Sequence, residues 1–587
     1  MHPTNKDIVI LLKSVAAAYT LTGVNQFRII AYQKAADAVE HLTQEIYDVW
    51  QNGHLDEIPG LGPIIRQHLD EYFTNPVGSY LEKQTQKIPA PVYKLMQSPG
   101  IGPKRAFRIV QEFKLDNPKT IFEDVKSLAA KNKIVELEGF GEKSQKEILK
   151  AINLYEERGQ KEERMVLPVA GQMAEDIIMY MKQLPEVSEI QPLGSLRRKA
   201  PTIGDIDLVA VVEQRNAEKV INHFTAYSRA ISVQGKGDVK ASIMVTGGKR
   251  IDLDIIPRKR YGSMLQYFTG NKLHNIKLRE YALRKGYSLN EFGIKEVKTG
   301  KMHTFETEEA FYEFLDVDWI PPEIREGGEE IKLALQHALP NLVEPKDMKG
   351  EFHVHSDFDI VPSHDIGMDS IEKMAKKAEE LGYIYLALSE HNPAMSRVDE
   401  SQAVDLIRRK AEAVAKIKTP VKLLNSLEID IQPNGDLALA EDAFKYLDIA
   451  IVSIHSSFKM SRDDMTKRIL KALAHPGVKI LGHPTGRQIG KREEIEADWQ
   501  TVFDFAKKHH IALEINAWHE RLDLPEGLVR RAIQNGNKLV INTDAHAASQ
   551  MDGLLYGVYV ARRGWAEKSD IINTQPLDRV MSWIKGK

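Results

Sequence analysis

The chain has 587 residues, 42% of them apolar and 28% charged, with no cysteine and a net charge of −3. That length suits about three to five domains of ordinary size. The missing cysteine excludes disulfides, thiolate zinc sites, iron–sulfur clusters and cysteine nucleophiles, so any metal must be held by His, Asp or Glu. No apolar run reaches the ~18 residues of a membrane span. Met1 to Thr22 lacks the basic start and cleavage site of a signal peptide, so an intracellular protein is expected.

The small net charge hides an uneven distribution. Residues 1–90 carry 7 Lys+Arg against 10 Asp+Glu, residues 91–300 carry 36 against 26, residues 301–340 carry 3 against 10, and residues 341–587 carry 34 against 37. A basic middle between acidic flanks is compatible with contact to a phosphate backbone.

Helical periodicity dominates residues 5–160. Three turns there share one pattern: Ile58-Pro59-Gly60-Leu61-Gly62-Pro63, Ser98-Pro99-Gly100-Ile101-Gly102-Pro103 and Leu137-Glu138-Gly139-Phe140-Gly141-Glu142. In each pair (Gly60 and Gly62, Gly100 and Gly102, Gly139 and Gly141) the glycines permit close backbone approach and the apolar residue between them is expected to anchor the turn. The helix that follows offers free N–H groups to a phosphate oxygen. Lys104 and Arg105 add positive charge after the second turn. One such turn says little, but three with the same flanks resemble the helix-hairpin-helix motif, which grips a nucleic-acid backbone without reading sequence.

Next come Gly194-Ser195-Leu196-Arg197-Arg198 and Gly204-Asp205-Ile206-Asp207, the latter running into an apolar strand to Val212. Residues two apart on a strand face one side, so Asp205 and Asp207 present two carboxylates together. Arg250-Ile251-Asp252-Leu253-Asp254 offers a third in Asp252. Adjacent carboxylates repel unless a cation neutralises them, and hard oxygen ligands suit Mg²⁺. Asp254 shares the face of Asp252, and a salt bridge to Arg250 or Arg258 is its plain structural role. Tyr267-Phe268-Thr269-Gly270, Asn275 and Arg279 follow.

With these motifs the first half resembles a family X DNA polymerase. The resemblance implies a small N-terminal domain (1–84), a helical fingers-type domain (85–160), an α+β nucleotidyltransferase palm (161–256) and a thumb-type domain (257–337). It implies Asp205, Asp207 and Asp252 as catalytic Mg²⁺ or Mn²⁺ ligands, with Ser195, Arg198, Gly204 and Arg164 on the incoming triphosphate. Tyr267, Phe268, Gly270 and Asn275 would line its sugar and base, and Arg279 would meet the template. In relatives with lyase activity a Schiff-base lysine sits in the first hairpin region. Here His68 takes that place and Ile64 that of another basic residue, so lyase activity is expected to be weak or absent. Arg28, Tyr32 and Lys34 remain candidates for a 5′-phosphate pocket, with Tyr32 equally readable as a core aromatic.

Pro-Pro and Gly-Gly pairs between Trp319 and Glu330 announce a boundary, and the linker is placed at 338–349. Beyond it, β-rich runs alternate with helical segments as in an α/β barrel. Eleven of the 19 histidines lie there. His353, His355, His391, Glu428, His455, His483, Asp544 and His546 almost all end a β-like run, where side chains from successive barrel strands converge. Mixed His and carboxylate ligands suit Mn²⁺ or Zn²⁺. The order resembles the polymerase and histidinol phosphatase (PHP) domain, here 350–587, which implies a cluster of up to three metal ions. The family's aspartate about five residues after the His-x-His pair is missing, since position 360 is Ile. Asp365 is the first candidate to replace it, with Asp359 and His364 as rivals. Glu514-Ile515-Asn516 and Arg521-Leu522-Asp523-Leu524 also match and would shape the cleft.

Together the modules resemble bacterial polymerase X. The expected protein is a monomer that fills short gaps during base excision repair, using dNTPs on gapped or primer–template DNA in the cytoplasm at the nucleoid. The PHP half would be a 3′–5′ exonuclease that also processes 3′ ends or abasic sites. The alternatives are a PHP half acting as a phosphatase on small phosphates, or a DNA-binding scaffold with both sites silent.

Overall fold

The computed structural model describes residues 3, 5–40, 46–51, 53–58, 61–98, 101–159, 164–246 and 248–586. Among them, no helix is long and apolar enough to cross a membrane.

Among the described residues up to 159, every regular element is helical. Two small cores form, one from Ile8 to Leu81 and one joining Ala18 to residues from Ile88 to Ile152. Each of the three glycine turns is closed by the same backbone bond. Leu61 N–H donates to Ile58, Ile101 to Ser98 and Phe140 to Leu137, over 3.3, 3.2 and 2.9 Å. Leu61 and Ile101 are buried and pin their turns from inside, while Phe140 is half-buried against the second core.

A mixed five-stranded sheet follows, with strands β1 (Glu189–Pro192), β2 (Ile206–Val211), β3 (Ala230–Lys236), β4 (Lys240–Val245) and β5 (Lys249–Ile256). Their spatial order is β1-β2-β5-β4-β3. Only β2 and β5 run parallel, and their register sets Asp207 directly beside Asp252. The helices Leu167–Met181 and Ala217–Thr225 cover one face through an apolar core that includes Ile177, Ile206, Leu208, Phe224 and Leu253. A three-stranded antiparallel meander and short helices then enclose a further core around Phe311 and Tyr312.

The C-terminal half is a seven-stranded, wholly parallel sheet: β6 (Gly350–Val354), β7 (Tyr385–Leu388), β8 (Lys422–Asp430), β9 (Ile449–Ser453), β10 (Val478–Leu481), β11 (Ala512–Asn516) and β12 (Leu539–Asn542). A bridge from Val354 to Ala545 nearly closes it into a barrel. One core packs Phe352, Tyr385, Leu424, Ile451 and Val540 with Val580 and Ile584 of the last helix. The larger core lies between strands and surrounding helices. In the linker segment 338–349, Leu342, Val343 and Met348 are buried while Ala338, Asn341, Pro345 and Lys346 are exposed. Leu342 enters the core around Phe311, and Val343 enters the barrel's outer core.

Candidate functional site

Two clusters of potential metal ligands lie at strand ends. In the first, ligand atoms of Asp205, Asp207 and Asp252 fall within 4.8 Å of one another. Asp205 precedes β2, Asp207 is its second residue, and Asp252 comes from the parallel neighbour β5. Gly194 has φ +56°, and a Cβ there would lie 3.0 Å from Asp207 Oδ2. Glycine therefore lets the Gly194–Arg198 turn close over the carboxylates. Burial, then the charges of Asp205 and Asp252, push the Asp207 carboxyl up to about 6. A divalent cation relieves this repulsion, so the donor set fits one.

The other residues singled out by the motifs make these contacts. Arg164 donates to Thr202 Oγ1 and to its carbonyl at 2.9 and 2.8 Å and borders Gly204. Arg198 reaches from the Ser195 turn to the Thr269 carbonyl beside Gly270 and keeps a buried Nε without a partner. Asn275 Nδ2 donates to the Tyr267 carbonyl at 2.7 Å, the Arg279 guanidinium lies over the Tyr267 ring at 5.1 Å, and Phe268 is partly exposed.

Arg197 fixes this turn to the segment behind it. It meets Glu308 through two bonds of 3.0 and 2.9 Å, and Arg325 donates to the same carboxylate at 2.6 Å. Burial opposes the charge on Glu308, but Arg325 and Arg197 hold its carboxyl at about 2. Removing one member of such a buried group typically costs about 3–5 kcal/mol.

One sequence expectation is corrected here. Asp254 pairs with neither Arg250 nor Arg258. It meets Lys240 at 3.2 Å, Arg250 forks onto Asp252, and Arg258 meets Glu189. The antiparallel register sets Lys240 directly opposite Asp254, and Arg250 lies two residues before Asp252 on the same face.

The second cluster gathers His353, His355, Asp365, His391, Glu428, His455, His483, Asp544 and His546. Glu428 is fully buried at its centre. Its Oε2 lies 3.3 Å from His353, 3.7 Å from His355 and 2.9 Å from His391, and its Oε1 lies 3.2 Å from His455 and 2.7 Å from His483. Asp544 Oδ1 lies 3.1 Å from His355 and 3.5 Å from His353. Asp365 reaches His391 and His546, each at 3.3 Å. Asp359 accepts the Val361 N–H. His364 lies 3.0 Å from Asp430, and with His455 these two form a further group whose ligand atoms fall within 4.8 Å of one another.

Buried atoms that make no well-aligned hydrogen bond include His353 Nε2, His391 Nδ1, His483 Nδ1, His546 Nε2 and Glu428 Oε2. Cations among them would satisfy these atoms, so this donor set also fits. Asp544 and His483 have φ +56° and +23°, costly values for residues with side chains. Backbone N–H bonds hold both, from Asp544 to the His353 carbonyl at 3.0 Å and from His483 to Glu514 Oε2 at 2.6 Å.

An outer layer was harder to read in advance. Glu514 holds His353 Nδ1 at 2.8 Å, and Asp430 holds His455 Nδ1 at 2.6 Å. Each fixes which face of its imidazole turns inward. Asp430 carried a signal, since it lies two residues beyond Glu428 on the same strand face.

Of the hairpin residues, Gly62, Gly102 and Gly141 stand immediately before helices with open space where a Cβ would be, and Gly139 has φ +82°. Lys104, Arg105, Arg28 and Lys34 are exposed. Gly60 and Gly100 lie outside the described residues. Tyr32 is brought into the core, 4% exposed, with its hydroxyl 2.6 Å from His68 Nδ1.

Comparison with known proteins agrees with this arrangement. Residues 3–75 match a helix-hairpin-helix domain, 264–326 the DNA polymerase beta thumb and 351–517 the PHP domain. A DNA polymerase/3′-5′ exonuclease PolX of Bacillus subtilis (strain 168) is 31% identical across 100% of both chains. DNA polymerase lambda of Arabidopsis thaliana is 22% identical over 55% of this chain and 62% of its own. A probable phosphatase of Thermoanaerobacter sp. (strain X514) is 25% identical over 37% of this chain and 89% of its own. Full-length identity at that level, with thumb and PHP matches in the same order, means that the chain belongs to the PolX family, the family X DNA polymerases with a C-terminal PHP domain.

Proposed function

We propose that the chain is a DNA-directed DNA polymerase and 3′–5′ exonuclease that fills short gaps in repair, with separate centres for the two reactions. The observation that carries this reading is the pair of ligand clusters, three carboxylates on one sheet and the His-rich group in the barrel. The ions we assign are Mg²⁺ or Mn²⁺ to the first and up to three Mn²⁺ or Zn²⁺ to the second. When bound, they would ease ionisation of a primer 3′-hydroxyl at one centre and of water at the other, and offset charge on the reacting phosphate.

The chain's own residues supply the rest. Asp252 faces the primer end, and Arg198 and Ser195 hold the triphosphate. Asn275, bonded to the Tyr267 carbonyl, fixes the turn on which the nucleotide sugar rests. In the barrel Glu514 and Asp430 orient His353 and His455. The three glycine turns hold the duplex backbone, Arg28 and Lys34 reach a 5′-phosphate across a gap, and the protein acts as a monomer in the cytoplasm, at the nucleoid.

The test uses gapped duplex DNA with Mn²⁺. With dNTPs the primer is expected to lengthen to fill the gap. Without them it should shorten from its 3′ end. Failure to extend refutes the polymerase half of the reading. Hydrolysis of small phosphate monoesters with intact DNA would instead assign the barrel to a phosphatase role like that named for the Thermoanaerobacter relative.

The raised Asp207 carboxyl gives a pH dependence. Above about pH 6 it is ionised and ready for a cation, and below that a proton must leave first. The Mg²⁺ concentration for half-maximal extension is expected to rise by up to about tenfold per pH unit below pH 6. A requirement that stays flat from pH 7.5 to 5.5 would show that the Asp207 carboxyl is not raised.

A further inference from the structure

The helix Leu554–Arg563 belongs to the C-terminal half but packs on the polymerase half. Tyr556 and Tyr559 lie against the palm core, Lys199 sits over the Tyr559 ring at 4.7 Å, and Arg562 donates to Glu323 at 2.8 Å. At its end Arg563, 8% exposed, spreads its guanidinium over three partners. Nη1 donates to the backbone carbonyl of Arg198 at 3.0 Å, and Nη2 meets Glu326 and Glu526, each at 2.9 Å. Glu326 in turn accepts from Asn271 Nδ2 at 2.7 Å, next to Gly270.

We infer that Arg563 is a positioning residue of the nucleotide site: a side chain of the PHP half sets the turn that holds the incoming triphosphate. The inference rests on the reading of Arg198 as a phosphate contact. Arg198 keeps a buried, unpartnered Nε and is held at its tip by the Thr269 carbonyl, so its aim depends on that bond together with its backbone. Arg563 holds that backbone from one side, and Arg197, bound to Glu308, holds it from the other. Glu526 anchors Arg563 to the barrel, so the polymerase half alone lacks one side of this brace.

The experiment is steady-state primer extension by the full chain on gapped DNA, as a double-mutant cycle of Arg563→Met and Arg198→Ala, with Arg563→Lys as the conservative variant. Arg563→Met is expected to raise KM for dNTP about tenfold while kcat stays within about twofold. In the Arg198→Ala background the same change should raise KM by no more than about twofold, because the group being positioned is gone. Arg563→Lys, which keeps a donor and the charge, should lie between wild type and Arg563→Met. Digestion from the 3′ end should be unchanged in both Arg563 variants. A wild-type KM in Arg563→Met overturns the inference. So does an equal KM effect in both backgrounds, or a matched loss of kcat and digestion, each of which would mark general loosening of the fold. If Arg563→Met does not fold, a wild-type KM in Arg563→Lys overturns it. If Arg198→Ala alone leaves KM unchanged, the underlying reading of Arg198 fails instead.

Discussion

Asp207→Asn should abolish primer extension, by at least about a thousandfold, and yet leave a metal-free protein more stable than the wild type at neutral pH. Asparagine keeps the shape of the side chain, so Leu193 N–H still finds the residue 207 carbonyl at 2.8 Å and the turn still closes on Gly194. It loses the charge a divalent cation requires. The same charge is a burden without the cation, because burial, Asp205 and Asp252 push the carboxyl from 3.8 to about 6. The sign follows directly. A carboxyl raised in the folded state disfavours folding above about pH 6, and this penalty fades as pH falls toward 3.8. In chelator at pH 7.5 the variant should therefore unfold at a higher temperature than the wild type, and at pH 4 the difference should shrink. Digestion from the 3′ end by the same preparation checks that the barrel is unaffected. Extension at even a tenth of the wild-type rate would remove Asp207 from the metal site. A variant that unfolds earlier at pH 7.5 would show that its charge is not the strained one.

Local patterns made much of this molecule readable. Asp205, Asp207 and Asp252 stand out because side chains alternate on a strand, so carboxylates inside apolar runs betray a shared face. His353, His355, Asp544 and His546 end β-rich runs, where barrel geometry gathers side chains. What could not be read depends on partners distant in the chain. Asp365, His364 and Asp359 share one loop and differ little in sequence. Asp430, 66 residues beyond His364, takes that histidine, while His391 and His546 take Asp365. Lys240 claims Asp254 only because the β4–β5 register sets them opposite. In the segment 338–349, read as a linker, Leu342 and Val343 each find a different core. Arg563 looks like a surface charge at a helix end until Glu326 and Glu526 fold against it.

Glu428→Gln should be the mirror of Asp207→Asn, with digestion lost by at least about a thousandfold and extension unchanged. Glu428 is the carboxylate shared by the cluster, with one oxygen among His353, His355 and His391 and the other facing His455 and His483. Glutamine fills the same volume but replaces one of these oxygens with an amide nitrogen, which cannot coordinate a cation. The remaining charge is badly distributed. Asp544 and Asp365 serve the side of His355 and His546, so His483 loses its carboxylate and His455 keeps only Asp430, on its Nδ1. The metal content of the purified chain should fall with the activity, and this separates lost ligation from a blocked cleft. Burial acts against the charge on Glu428, while His455, His353 and His391 hold its carboxyl well below the usual range. Acid will not mimic the variant within the working pH range, so excess Mn²⁺ at pH 8 is the fair rescue attempt. Recovery of full digestion there would mean that the histidines hold the ions by themselves and that Glu428 is only their frame.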